Sequence, residues 1–216
     1  LSHTFERMAG HYAMLHCGVS IYYAESHTTL AENLLEVRPH VLMAVPRVYE
    51  KIYARVREAV SGQALPKRCI FKGAMAAGRR VAPFRYRDQR PGPGLRLAMA
   101  LADALVFRRL RALTGGRLSL AISGGAALGP KVLAFFWAMG VPVFEGYGLT
   151  ETGPILALNA LGRVGPGTVG HPLLENWEGQ PLLKLAPDSE VLARGPNIMA
   201  GYWRDEEATR AAFDEE

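Results

Sequence analysis

"RLSLAISGGAALGPKVLAFFWAMGVPVFEGYGLTETGP", residues 117–154, decides the fold. Two short apolar runs, 117–123 and 141–145, read as β-strands. Between them "PKVLAFFWAMG" (130–140) begins on proline and stops at glycine, as helices do. A strand, a crossover helix and a second strand predict a parallel unit with a right-handed connection. Parallel strands deliver the segments that follow them, "SGGAALG" and "EGYGLTE", to one carboxyl edge of the sheet. Open α/β sheets bind ligands at that edge.

The flanking sequence extends the same pattern. "TLAENLLEVRP" (29–39) carries Leu30, Leu34, Leu35 and Val37 near helical spacing and ends before Pro39, and "VLMAV" (41–45) suits a buried parallel strand. "PRVYEKIYARVREAV" (46–60) opens with a first-turn proline and sets Val48, Ile52, Val56 and Val60 four apart on one face. "RYRDQRPGPG" (85–94) reads as an exposed connection, and "LRLAMALADALVFRRLRAL" (95–113) as a long helix. After Pro154, short apolar runs broken by Gly and Pro predict a small β-rich subdomain, closed by a helix in "DEEATRAAF" (205–213) with Asp205 as N-cap. The expected class is α/β: a parallel-sheet core with flanking helices over 1–154, then a β-rich subdomain over 155–216.

Composition narrows the function classes. No run of 18 apolar residues offers a membrane span, since "LRLAMALADALVF" is cut by Asp103. Glu6 and Arg7 interrupt any signal-peptide core, which argues against secretion. Cys17 and Cys69 are too few and too distant for a disulfide scaffold or a zinc site, and read as reduced, packed thiols of a cytoplasmic protein. The net charge of +5 is carried mostly by arginine, nine of them between Arg79 and Arg111. A solvated helix face is the plain reading of that run, and peripheral attachment to an acidic inner-membrane surface the functional one. No aromatic residues are interleaved as stacking platforms, which argues against nucleic acid. The chain opens on Leu1 and stops on "FDEE", and is read as an interior piece of a longer protein.

A nucleotide needs backbone N–H groups close to its phosphates, a flat surface for its base and an oxygen ligand for magnesium. Gly124 and Gly125 allow the close approach, Tyr147 offers a ring, Thr150 a hydroxyl, and Glu151 and Glu145 carboxylates. Either segment alone reads more plainly as a turn. Their pairing one crossover apart favours a site.

"YGLTETGP", preceded by "SGGAALGPKVLAFFWAMGVPVFEG", closely resembles the AMP-forming acyl-CoA synthetases of the adenylate-forming superfamily. The resemblance continues in "LSHTFER", "AVPRVYEKIYARV", "TVGHPL" and "LARGPNIMAGYW"; the first two are most similar to the long-chain fatty-acid branch. It implies two steps. A fatty carboxylate attacks the α-phosphorus of ATP to give acyl-AMP and pyrophosphate, and coenzyme A then displaces AMP. By position, Gly124, Gly125 and Ala126 would line one side of the adenine and part of the acyl pocket, with Tyr147 stacking on the other. Glu145 and Gly146 would lie beside the base, with Gly148 in the same nucleotide-binding run. Thr150 would contact the α-phosphate, Glu151 would bind Mg²⁺, and His3 would sit near the acyl carboxylate and the path of CoA. His11, His16, His27 and His40 are read as structural and His171 as a loop residue.

The family's phosphate loop is expected upstream of Leu1. Its ribose-binding aspartate, hinge and lid domain with catalytic lysine are expected beyond Glu216. The region "PLLENWEGQPLLKLAPD" (172–188) is longer than the family's usual turn. The alternatives are a fatty acyl-AMP ligase, an aryl-CoA ligase, an amino-acid adenylation domain, or a non-catalytic AMP-binding module.

Overall fold

A computed structural model of the chain describes residues 3–26, 28–173 and 182–213. Widened helical turns over Glu6–Tyr12 lead into α1 (Ala13–His16) and α2 (Leu30–Val37). Next come β1 (Val41–Ala44), α3 (Pro46–Ser61), α4 (Leu65–Tyr86), α5 (Pro93–Ala102) and α6 (Arg108–Ala112), with wide turns over Asp103–Phe107 joining the last two. Then follow β2 (Leu120–Ser123), α7 (Pro130–Ala138), β3 (Val143–Tyr147), β4 (Ala157–Leu158) and β5 (His171–Pro172). A separate hairpin pairs β6 (Leu183–Leu185) with β7 (Val191–Ala193), and α8 (Glu206–Ala212) closes the described chain.

The main sheet runs β1-β2-β3-β4-β5. β1, β2 and β3 are parallel, whereas β4 and β5 add antiparallel. Ala44 faces Ser123, and Ser123 faces Glu145. The chain therefore leaves β2 and β3 at one level, which is what the strand–helix–strand reading required. The class is α/β with flanking helices, as expected, but the sheet is mixed: β4 and β5, from beyond residue 154, extend the parallel core antiparallel.

The core forms where α7 packs on the sheet. Phe135, Phe136, Trp137 and Ala138 are essentially buried, and the Trp137 indole donates to the Val143 carbonyl at 3.1 Å. Tyr49 of α3 is wholly buried, edge-on to Phe136, with its hydroxyl in reach of the Leu42 and Ile122 carbonyls at 3.0 and 2.9 Å. It ties α3 to β1 and β2, and burial pushes its phenol pKa far above the usual value.

Several expectations are corrected. α4 lacks a sequence signal because it packs through small residues: a Cβ on Gly78 would lie 2.6 Å from the Ala138 carbonyl. It absorbs Arg85 and Tyr86, so the exposed connection is shorter than 85–94. Leu35 points to solvent while Leu34 is buried. Cys17 and Cys69 are both exposed, not packed, because each sits on the solvent side of its helical segment. His171 pairs within β5 rather than lying in a loop. Asp205 does cap α8, accepting from Ala208 N–H at 2.9 Å. His27 and residues 174–181 of the 172–188 stretch fall outside the described residues.

The arginine run divides in two. Arg85 donates to the Trp137 and Ala138 carbonyls at 2.6 and 3.3 Å, and Arg111 to Met139 at 2.9 Å while pairing with Asp103 at 2.6 Å. Both cations meet the negative end of α7. Burial, and next the Arg111 charge, press the Arg85 pKa below the usual value. The other seven face solvent.

Candidate functional site

At the carboxyl edge of β2 and β3 the N-terminal helical segment crosses over the sheet and leaves a cavity of about 430 Å³. Its sheet side is built from Gly124, Gly125 and the run from Gly146 to Glu151; its opposite wall is His3, Thr4 and Phe5. The floor is apolar, formed by Ala9, Ala13, Met14, Met43, Ile122 and Leu158. The lining thus brings hydroxyls, a carboxylate and bare backbone together with hydrocarbon.

Glycine is required at the close approaches. Gly125 has φ of 84°, and a Cβ on Gly124 would stand 2.7 Å from the Phe5 ring. Gly148 packs against the carbonyl of Pro154 so tightly that a Cβ would overlap it at 1.5 Å. Gly148→Ala is therefore expected to lower stability by about 2 kcal/mol, read as a shifted urea midpoint. An unchanged midpoint would show that the turn relaxes freely.

The 144–151 stretch is not wholly a loop. Glu145, Gly146 and Tyr147 belong to β3, and β4 pairs with Gly146 and Tyr147. Tyr147 is thereby held on a strand, half-buried, as one wall of the cavity. Thr150–Thr152 forms a single tight turn. The Thr152 hydroxyl is consumed within it, accepting from Leu149 N–H at 2.9 Å and lying 3.1 Å from the Leu149 carbonyl. Thr150 is exposed, and its hydroxyl meets that of Thr4 at 3.3 Å. His3 Nδ1 accepts from the Phe5 N–H at 3.2 Å.

Two proposed residues lie elsewhere. The Glu145 carboxylate is 7% exposed and accepts the Leu128 N–H at 2.9 Å, so it braces the segment after β2 rather than lining the cavity. Ala126 is exposed on that segment, outside the lining. Three contributors were missed. Thr4 and Phe5 lie in the quoted "LSHTFER", and Tyr202 in "LARGPNIMAGYW"; no spacing links a residue near 200 to the turn at 150. The Tyr202 hydroxyl donates to Glu151 Oε1 at 2.9 Å, and this bond chiefly raises the phenol pKa.

Glu151 is the one carboxylate in the cavity lining, and no cluster of three or more His, Cys, Asp or Glu able to hold a metal occurs among the described residues. Such a donor set does not retain a free ion. It fits magnesium that arrives on a polyphosphate, which takes one or two carboxylates and completes its shell with phosphate oxygens and water.

Residues 1–203 match the family described as AMP-binding enzyme. The chain is similar to the long-chain-fatty-acid–CoA ligase FadD15 of Mycobacterium bovis, with 38% identity over 203 residues, 93% of this chain and 32% of that protein. It is also similar to long-chain-fatty-acid–CoA ligase 2 of Schizosaccharomyces pombe, 36% identical over 85% of this chain and 27% of that one. The chain thus spans about a third of the length of the curated relatives it matches. Among solved structures, a long-chain-fatty-acid-CoA ligase from Archaeoglobus fulgidus superposes with a TM-score of 0.52 at 16% identity, covering 99% of this chain and 36% of that one. The A domain of a carboxylic acid reductase from Segniliparus rugosus, in complex with AMP and a co-purified carboxylic acid, gives 0.51 at 24% identity, covering 94% and 28%. Those two likenesses concern the fold.

Proposed function

Because this chain belongs to the AMP-binding enzyme family, we propose that it carries the adenine, acyl and magnesium-binding part of an ATP-dependent long-chain fatty-acid–CoA ligase. The observation that carries this reading is the mixed lining of the 430 Å³ cavity, in which hydroxyls, a carboxylate and glycine backbone meet hydrocarbon side chains. An acyl-adenylate presents both kinds of surface. In this reading residues 1–154 belong to the AMP-binding α/β core and 155–216 to a β-rich subdomain of the same unit.

Gly124 and Gly125 take one face of the adenine and Tyr147 the other, with Gly146 and Gly148 alongside. Ala126 acts only if its segment moves inward, and Glu145 acts through the brace on Leu128. The acyl chain lies on the apolar floor toward Met14 and Met43, which also line a second cavity of about 1070 Å³. A carboxylate oxygen forms a bond to the α-phosphorus, and the bond to the bridging oxygen breaks as pyrophosphate leaves with its electron pair. Charge grows on the nonbridging oxygens, where the Thr150 hydroxyl donates a hydrogen bond. Glu151 would hold Mg²⁺, which supplies charge neutralisation at the phosphates. His3 stands beside the acyl carboxylate, where the CoA thiolate then attacks and AMP departs.

Backbone NMR of the 216-residue chain titrated with AMP tests the site. Weak binding that perturbs Gly124, Gly125 and Gly146 to Glu151 supports it, and perturbations elsewhere would sink it. Acyl-CoA synthesis by these 216 residues alone would contradict the division of the reaction over a longer protein.

We also propose peripheral attachment to an anionic membrane surface on the cytoplasmic side. No helix among the described residues is long and apolar enough to cross a membrane. However, Leu97, Leu101 and Leu105 are 65, 56 and 55% exposed at near-helical spacing, flanked by exposed Arg96, Arg108 and Arg109. Apolar side chains bordered by cations suit an acidic bilayer interface. Co-sedimentation with phosphatidylglycerol vesicles should fall about tenfold when those three arginines become glutamate. Equal sedimentation would exclude this surface.

A further inference from the structure

The stretch 195–202 reaches back across the fold to the turn that carries Thr150 and Glu151. Asn197 Nδ2 donates to the Thr152 carbonyl at 2.6 Å, and the Met199 N–H donates to the Glu151 carbonyl at 2.8 Å. A Cβ on Gly153 would come 2.7 Å from the Asn197 carbonyl, so the two backbones touch. These contacts fix the main chain of the turn. They leave the Glu151 side chain free to rotate, and one further bond restrains it. The Tyr202 hydroxyl, 51 residues away in sequence, donates to Oε1 at 2.9 Å.

We propose that Tyr202 is a positioning residue for Glu151: it holds one carboxylate oxygen and so presents the other, Oε2, to a phosphate-borne divalent cation. The proposal rests on the nucleotide reading above and names a residue that reading does not use. A glutamate loses substantial rotamer freedom when fixed. A phenol donor on Oε1 takes that loss in the ligand-free state, while Oε2 has no hydrogen-bond partner among the described residues. Tyr202 does not itself line the cavity and meets it only through Glu151, and the residue is 41% exposed, so removing the hydroxyl leaves the packing intact.

The test is a binding cycle on the 216-residue chain. Wild type, Tyr202→Phe, Glu151→Gln and the double variant are titrated with AMP without metal and with ATP plus magnesium. Tyr202→Phe should weaken Mg–ATP binding roughly 3- to 10-fold, leave metal-free AMP binding within about twofold, and add nothing to the loss in Glu151→Gln. Equal losses for both ligands would assign Tyr202 a merely structural part, and additive losses would make the two residues independent. An unchanged Mg–ATP affinity would overturn the proposal outright. A wild-type chain that binds neither ligand overturns the nucleotide reading itself, and the positioning role with it.

Discussion

Glu151→Ala is expected to reduce fatty-acid-dependent ATP–pyrophosphate exchange by the intact gene product on the order of a thousandfold. The size follows from the absence of a substitute. Glu151 is the one carboxylate lining the cavity, and no multi-ligand cluster stands nearby among the described residues. Glu145, six residues earlier, is buried and committed to the Leu128 N–H, so it cannot move in. Glu151 is half-buried and tied by its backbone to Met199, which alanine preserves. Stability should therefore change little while exchange collapses. Exchange within about tenfold of wild type would sink the assignment of Glu151 to the metal.

The second large effect is expected at Thr150. Thr150→Val keeps the shape and removes the hydroxyl, and should lower adenylation roughly 10- to 1000-fold, the range for losing one donor among several at a developing oxyanion. Its neighbour supplies the control. Thr152 spends its hydroxyl on the Leu149 backbone, whereas the Thr150 hydroxyl meets only the Thr4 hydroxyl among the described residues, at 3.3 Å. Thr152→Val should therefore show in the urea midpoint and Thr150→Val in the rate. The reverse pattern would move the phosphate contact from one threonine to the other.

Much of the architecture was legible because it is written in local patterns. The proline start and glycine stop of α7 fix its limits, and two apolar runs around it can only be parallel. From that alone the sheet edge and its glycines follow. Residues hidden from pattern reading owe their places to packing. α4 shows no strong apolar stripe since its contact with α7 runs through Gly78 and neighbouring small residues. Arg85 and Arg111 look like part of a solvated face until the carbonyl end of α7 is seen beside them. Glu145 reads as a site acid because of its position near the strand end, and becomes a brace because the Leu128 N–H, 17 residues back in the segment after β2, takes its carboxylate as acceptor. Tyr202 is invisible in one dimension, since its partner lies 51 residues back. Periodicity reports which face is apolar; it does not report which distant groups meet.

The most direct test of the central claim is ATP–pyrophosphate exchange by the intact gene product with palmitate, benzoate and a panel of amino acids, each with and without CoA. The account predicts exchange driven by palmitate, with stoichiometric AMP release only when CoA is added. Exchange driven by benzoate or an amino acid, or by no carboxylic acid at all, would contradict it.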